Sequence, residues 1–303
     1  MAHKIVVTGG AGFIGSHIAR FCLERGDDVH VVDNYAGGKR EDRLHEGVTY
    51  HEVDIREGEK LAPIMRGASY VFHEAALPRV QFSIENPELT FSVNAGGTVS
   101  VLSAAHEAGV KRVVYAASSS AYGDQPTMPL SEEMPPHPKS PYGLQKYVGE
   151  LSCRLWSEVY GLSTVSLRYF NVYGPGFDPN GAYALVVGKF LEHCKKGEPL
   201  TITGDGTQTR DFTHVSDVVR ANILAAESSG VGKGESINIG AGNNVSINDI
   251  AAMIGGESVH VDPRLEPHDT LADNKRAKEL LGWEPTMRIE DGIAELKKEL
   301  GLK

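Results

Sequence analysis

Lys4-Ile5-Val6-Val7-Thr8-Gly9-Gly10-Ala11-Gly12-Phe13-Ile14-Gly15, continued through Ser16 to Asp33, is the stretch that decides the fold. Ile5, Val6 and Val7 are apolar and β-branched and run into glycine, the pattern of a short buried strand. Phe13, Ile14, His17, Ile18, Phe21 and Cys22 then recur at helical spacing, which predicts a helix over Gly12 to Glu24. Gly26 stops that helix, Val29 to Val32 form the next strand, and Asp33 closes it.

The order strand, glycine turn, helix, strand, acid has a chemical reading. Gly10-x-Gly12-x-x-Gly15 permits a tight turn, a close approach of backbone to a pyrophosphate, and close packing of helix on strand. Free N–H groups at a helix start attract phosphates. Asp33, 18 residues past Gly15, stands where a carboxylate accepts hydrogen bonds from an adenosine ribose. The same charge repels a 2′-phosphate and favours NAD over NADP. The plainer alternative is a glycine turn with an ordinary helix start and a solvated acid.

At 303 residues the chain accommodates a large α/β unit with a second, smaller one. Its formal net charge of −10 argues against a nucleic-acid footprint. Cys22, Cys153 and Cys194 are odd in number and lack a CxxC spacing, so neither a disulfide framework nor a zinc site is expected. The twelve histidines show no HExxH or paired spacing, and no metal site is expected. The apolar run after Lys4 is too short for a signal peptide, and no 18-residue apolar stretch exists, so a cytoplasmic protein is expected.

Strands at Val48–Val53, Tyr70–His73, Arg112–Ala116 and Thr164–Tyr169 alternate with long helical stretches near Glu88–Ala108 and Pro141–Tyr160. That alternation predicts a Rossmann-type doubly wound parallel sheet. Gly123–Lys139, rich in proline and polar residues, reads as a loop. After Tyr169 the rhythm breaks, and further helices are expected at Ala182–Lys195, Val215–Glu227, Ile247–Met253, Asp273–Leu281 and Glu290–Leu300. Ser236–Ile239 is a candidate to rejoin the main sheet. The expected division is an NAD-binding domain over 1–170, with a returning segment near 211–240, and a smaller substrate-binding domain over most of 171–303.

Tyr142 and Lys146 lie four residues apart, on one face of a helix. Ser140 is a fitting N-cap and Pro141 suits the first helical position. The helix dipole and the Lys146 charge are both expected to lower the Tyr142 pKa toward a value useful in proton transfer. A YxxxK pattern alone is weak; here it follows a dinucleotide fingerprint and a strand that ends in Ser118, Ser119 and Ser120. Ligands in such sheets bind at the carboxyl ends of the strands.

With these residues in place the chain resembles the extended short-chain dehydrogenase/reductases, and among them the NAD-dependent UDP-sugar 4-epimerases. Thr8-Gly-Gly-Ala-Gly-Phe-Ile-Gly15, Asp54-Ile55, His73-Glu-Ala-Ala76, Asn94, Tyr142/Lys146 and Arg168-Tyr-Phe-Asn-Val-Tyr-Gly174 fall in that family's order. So do Asp178-Pro-Asn-Gly-Ala-Tyr183, Gly204-Asp-Gly206, Arg210-Asp211-Phe212 and Ala272-Asp273. The resemblance implies NAD as cofactor, held by Gly9, Gly12, Phe13, Ile14, Gly15, Asp33, Asn34, Asp54, Ile55, Ala75, Ala76, Asn94, Tyr142, Lys146 and Tyr169. Phe170 would flank the nicotinamide with Tyr169. It implies Ser118, Tyr142 and Lys146 as the catalytic set. It implies a UDP-sugar held by Ser118, Ser119, Ser120, Tyr142, Asn171, Tyr183, Arg210, Arg264, Asp269 and Thr270. Arg210 has a case of its own, since a guanidinium offers bidentate bonds to a pyrophosphate, and Asp211 beside it is expected to orient it.

Two positions bear on subtype. Related dehydratases carry an Asp-Glu pair after the catalytic hydroxyl; Ser119 and Ser120 stand there instead, which argues against dehydration. Thr270 aligns with the gate that a bulky aromatic closes against 2-N-acetyl sugars, and threonine leaves it open. Arg264 is displaced from the family's usual position. Arg79, in a loop expected over Leu77–Ser83, either meets a uronate carboxylate or is a surface residue. The expected activity is therefore UDP-glucose/UDP-galactose 4-epimerisation, with the N-acetylhexosamine pair also accepted. The alternatives are a UDP-glucuronate 4-epimerase, another nucleotide-sugar oxidoreductase or decarboxylase, and a non-catalytic NAD-binding protein. The resemblance also implies a homodimer through Glu88–Ala108 and Pro141–Tyr160.

Overall fold

The computed structural model describes residues 2–177, 186–262 and 269–302. Its strands are β1 (Lys4–Thr8), β2 (Asp28–Asp33), β3 (Thr49–Glu52), β4 (Tyr70–His73), β5 (Arg112–Ser118), β6 (Thr164–Tyr169), β7 (Leu200–Thr203), β8 (Thr209–Asp211), β9 (Lys233–Ile239), β10 (Asn244–Ser246) and β11 (Ser258–Val261). Seven of them form one parallel sheet in the order β3-β2-β1-β4-β5-β6-β9. The order reverses between β1 and β4, which opens a crevice at their carboxyl ends.

The central strands are apolar along their whole length because helices cover both faces. One layer packs Ile5, Val7, Phe72, Val114, Val165 and Leu167 against the Phe13–Glu24 and Val215–Glu227 helices. The opposite layer packs Val6, Val71, Val113 and Tyr115 beneath the Gly97–Glu107 and Pro141–Tyr160 helices. Gly149 lets the latter helix press on the sheet: a Cβ there would stand 2.2 Å from the Tyr115 hydroxyl.

The chain after β6 returns to the sheet twice. Lys233–Ile239 pairs with β6, as its sequence suggests. Ala277, Leu281 and the fully buried Trp283 then enter the first layer, with Trp283 Nε1 donating to Asp217 O at 3.0 Å. A separate apolar cluster holds Phe190, Leu191, Ile202, Ile250, Ile293 and Leu296.

Several expectations need correction. The predicted Glu88–Ala108 helix is present from Pro87 to Glu107 with a π-helical turn at Ser92–Gly96, and a short helix, Val80–Glu85, precedes it. The Leu77–Ser83 loop is therefore helical from Val80 onward. β7 and β8, for which the sequence offers no prediction, pair with β11 and β10. These strands are three or four residues long, too short for their alternation to stand out in sequence. The Gly58–Met65 helix also went unread, with Pro63 inside it.

Candidate active site

The glycine turn is built on approach distances. Gly9 has φ +69°, and a Cβ there would stand 2.6 Å from Ala75 N. A Cβ on Gly15 would stand 2.3 Å from Gly9 O, so the helix start lies directly against the turn. Gly12 has φ −78° and supplies no side-chain cap, which leaves the first amides of the Phe13–Glu24 helix directed out of the turn. A dinucleotide pyrophosphate fits such a cradle: open backbone donors, no side chain above them, and a helix N-terminus. Asp33 Oδ2 accepts from Ala11 N at 3.0 Å and Oδ1 from Tyr35 N at 2.8 Å, which fixes the carboxylate at the end of β2. Burial raises its pKa above the usual carboxylate value, and the two amide bonds oppose that.

Asn34 Nδ2 donates to Asp54 Oδ2 at 2.9 Å, so two expected adenosine-side residues form one unit. Arg56 pairs with Asp54 at 2.7 Å and holds its pKa down at about 2. Ile55 is buried and packs on Gly97, where a Cβ would meet it at 2.5 Å. Ala75 and Ala76 are half-buried just past β4. Asn94 does something other than face open space. Its Oδ1 accepts from Leu77 N at 2.7 Å, and its Nδ2 donates to Leu77 O at 3.0 Å and Gln145 Oε1 at 2.8 Å. It thereby staples the segment after β4 to the Pro141–Tyr160 helix.

That helix starts as its sequence predicts. Ser140 Oγ accepts from Gly143 N at 3.1 Å, and Pro141 follows at the first position. The buried Ser83 hydroxyl accepts from Tyr142 N at 3.0 Å and donates to Val80 O at 2.6 Å. Ser118, at the carboxyl end of β5, favours the ionised Tyr142 phenol and accepts from Ser120 Oγ at 2.8 Å. Ser119 and Ser120 are half-buried in the turn that follows.

Lys146 corrects the sequence reading. Its Nζ donates to Ala116 O at 2.7 Å and lies 5.1 Å above the Tyr115 ring, and it is not what acts on the phenol. The Tyr142 pKa is pushed up to about 12, by burial first and by the Glu74 charge; Ser118 alone pulls it down. Burial lowers the Lys146 pKa, against the pull of Glu74. The lysine chain is long enough to find a buried carbonyl, which four-residue spacing on a helix does not reveal.

Tyr169 is buried, and its hydroxyl donates to Glu74 Oε1 at 2.8 Å while Asn222 Nδ2 donates to it at 2.8 Å. Phe170 is fully buried with Tyr122, Leu130 and Ala272, a packing position. Asn171, at φ +29°, donates from Nδ2 to Asp211 O at 3.1 Å and to Thr270 Oγ1 at 3.4 Å. Thr270 also accepts from Asp211 N at 3.3 Å and is half-buried. Asp269 Oδ1 accepts from Thr209 Oγ1 at 2.6 Å and Thr209 N at 3.1 Å.

Arg210 is half-buried and donates from Nη1 to Thr209 O at 2.9 Å. The expectation that Asp211 orients it fails. Neighbouring strand residues point to opposite sides, and Asp211 turns inward to accept from Ala241 N at 2.6 Å, Ala272 N at 2.9 Å and Gly242 N at 3.1 Å. Burial lifts its pKa to about 6. Asn171, Thr270 and Asp211 are thus brought into one hydrogen-bonded cluster. The calls on Tyr183 and Arg264 lie outside the described residues. Arg79 is exposed at the start of the Val80–Glu85 helix.

Three residues of the site escaped the sequence reading: Ser83, Gln145 and Glu74. Glu74 had a signal, an acid set between a buried histidine and two alanines at a strand end. Cys22 and Cys153 are buried and their thiols are pushed up to about 12, so neither is reactive. Among the described residues no cluster of His, Cys, Asp and Glu is arranged to hold a metal ion, and no helix is long and apolar enough to cross a membrane.

Comparison with known proteins places this geometry. Residues 5–240 match the model of the NAD dependent epimerase/dehydratase family. The putative UDP-glucose 4-epimerase of Methanocaldococcus jannaschii is 38% identical over 298 residues, 95% of each chain. The crystal structure of UDP-glucose 4-epimerase from Thermotoga maritima with UDP-glucose superposes with a TM-score of 0.92 at 38% identity, covering 98% of this chain and 99% of that one. The UDP-N-acetylglucosamine 4-epimerase of Methanobrevibacter ruminantium, in complex with UDP-N-acetylmuramic acid, gives 0.90 at 34%, covering 98% and 99%.

Proposed function

The chain belongs to the NAD dependent epimerase/dehydratase family, as an NAD-using isomerase of its UDP-sugar 4-epimerase branch, and from that premise we propose that it interconverts UDP-glucose and UDP-galactose and also accepts their N-acetylated counterparts. The observation that carries the reading is the convergence on the carboxyl end of β5: Ser118 ends the strand, on the helix packed against it Tyr142 N is held by Ser83, and Lys146 Nζ donates to Ala116 O two residues before Ser118 at 2.7 Å. When bound, NAD supplies the acceptor that takes and returns the C4 hydride.

The chain's own residues then have defined tasks. Tyr142 takes the proton of the sugar 4-hydroxyl as its base, and Ser118 hydrogen-bonds the same oxygen and relays the proton. With a phenol pKa near 12 before ligands bind, ionising Tyr142 works against burial and the Glu74 charge, and Ser118 is the neighbour that favours the phenolate. The resulting 4-keto sugar turns about its diphosphate link, which Arg210 and Asn171 retain, so that its other face is presented, and Tyr142 gives the proton back to the sugar 4-oxygen. Ser118, Tyr142 and Lys146 are the catalytic set. Asp33, Asn34, Asp54 and the Gly9–Gly15 turn are the NAD set.

Substrate breadth rests on Thr270, whose small side chain is tied to Asn171 and Asp211 and leaves the sugar 2-position open. Incubation with UDP-galactose, UDP-GalNAc and UDP-glucuronate in turn, with products resolved by chromatography, decides the reading. Turnover of the first two supports it; turnover of the uronate alone overturns it. In Thr270→Tyr the kcat/KM ratio of UDP-GlcNAc to UDP-glucose is expected to fall, and an unchanged ratio removes the gate.

A homodimer completes the proposal. Leu144, Leu151, Leu155 and Val159 are exposed on the Pro141–Tyr160 helix, the last three at four-residue spacing. Leu89, Phe91 and Val99 are exposed on the neighbouring helical segments. A second copy related by a two-fold axis covers this face with the same face of its own.

A further inference from the structure

Glu74 is buried immediately after β4, with an ionisable group that the mechanism above leaves idle. His73 is level with Tyr115 across the β4–β5 pair, so Glu74 is level with Ala116. Ala116 is the residue whose carbonyl holds Lys146 Nζ. Neighbouring strands lie about 4.8 Å apart, so the carboxylate and the ammonium belong to the same level of the sheet. They reach it from opposite sides: Tyr169, the partner of Glu74, belongs to the core layer on one face, and the Pro141–Tyr160 helix covers the other. The Tyr169 hydroxyl donates to Glu74 Oε1 at 2.8 Å, its shorter acceptor contact, with Asn222 Oδ1 at 3.1 Å.

The geometry points to Glu74 as a positioning residue of the reaction: fixed by Tyr169, it is the buried counter-charge to the Lys146 ammonium and governs the charge state of the Tyr142–Lys146 pair. The charged and titratable groups around it are Lys146 and Tyr142 from the Pro141–Tyr160 helix and Tyr169 from β6. Lys146 also feels Glu150 and Cys153 on its own helix, and His73 lies within its field. The signs follow from Coulomb's law. A negative Glu74 makes Lys146 harder to deprotonate and Tyr142 harder to ionise. Removing that charge lowers both pKa values together.

The activity arm of the test rests on the proposed epimerase reaction. The form that reacts has Tyr142 ionised and Lys146 protonated, one proton on the pair, so both limbs of the pH profile of kcat/KM belong to the pair together. In Glu74→Gln, whose amide oxygen still accepts from Tyr169, both limbs are expected to move to lower pH by about one unit. Glu74→Asp keeps the charge and is expected to leave both limbs near those of the wild type. A merely structural role lowers the amplitude without moving either limb, and unmoved limbs in Glu74→Gln overturn the proposal. If Glu74→Gln fails to fold, Tyr169→Phe takes its place: the carboxylate loses its donor, protonates more readily, and both limbs move the same way, or the proposal fails.

A second arm needs no turnover. Burial raises the Glu74 pKa, so the carboxyl stays neutral above the ordinary value of 4.5 and becomes the counter-charge only at higher pH, and this ionisation costs the wild type stability as pH rises toward neutrality. The melting temperature of Glu74→Gln is therefore expected to gain on the wild type as pH is raised through neutrality. A constant difference overturns the assignment. Absence of turnover by the wild type with every UDP-sugar would sink the functional reading alone, leaving Glu74 to be decided by this arm.

Discussion

At the scale of single residues, charge state is set by what each group touches. Tyr142 is the case on which the proposed chemistry depends: a phenol held near pKa 12 by burial and by the Glu74 charge, against Ser118. Tyr142→Phe removes the proposed base and leaves the packing, so kcat is expected to fall about 10²–10⁴-fold with the fold and NAD retention intact. Steady-state kinetics beside a circular dichroism spectrum check this. His73 makes a prediction about stability. Thr98 donates its hydroxyl to Asn94 O and accepts from His73 Nε2, so Nδ1 of the ring accepts from Thr8 at 2.7 Å. The ring is neutral in the fold, its pKa lowered to about 3 by burial, against 6.5 unfolded. Between those values the unfolded chain binds the extra proton, so stability falls as pH drops, by about 1.4 kcal/mol per unit at most. Urea titrations at several pH values are expected to show that slope, and to show it reduced in His73→Gln.

At the scale of elements, the two ends of the site are held by backbone devices. Gly9 combines a positive φ with a neighbour at 2.6 Å from any added Cβ. Gly9→Ala is expected to cost about 2–4 kcal/mol through strain and overpacking, and to weaken NAD binding with it. Denaturant midpoints and cofactor titration read the two effects separately. The Pro141–Tyr160 helix is capped by Ser140 at its start and by Gly161 in the left-handed region at its end, with φ +71°. Ser140→Ala is expected to lose about 1 kcal/mol. Because Ser83 independently holds Tyr142 N, that variant is expected to keep most of its kcat. Both caps are local patterns, and Ser140, Pro141 and the YxxxK spacing were readable in the sequence for that reason. The π-helical turn at Ser92–Gly96 was not, since Asn94 earns it through bonds to Leu77 and Gln145 that no periodicity records.

At the scale of the whole molecule, one sheet joins segments from both ends of the chain. The last strand of that sheet, β9, and the Trp283 side chain lock the later residues onto the Rossmann layer. The exposed stripe of Leu151, Leu155 and Val159 is unfavourable in water and is the face assigned to the second subunit. Leu155→Glu places a charge in that face. Light scattering is expected to give a dimer mass for the wild type and a monomer mass for the variant; a monomeric wild type refutes the assignment.

The sequence by itself determined what is local and periodic. It gave away the first strand, the glycine turn, the helix that follows, the acid at Asp33, the parallel alternation, and the tyrosine helix with its cap. In each, residues within one or two turns of one another carry the signal. Only the tertiary structure decided which way charges face. Asp211 turns from Arg210 to three backbone amides because strand neighbours alternate, and Lys146 seats on Ala116 because a buried ammonium needs an acceptor within reach. Glu74 meets Tyr169 across two strand intervals, 95 residues apart in the chain. Such pairings depend on strand order and register, and burial sets their charge, so no stretch of sequence read alone contains them.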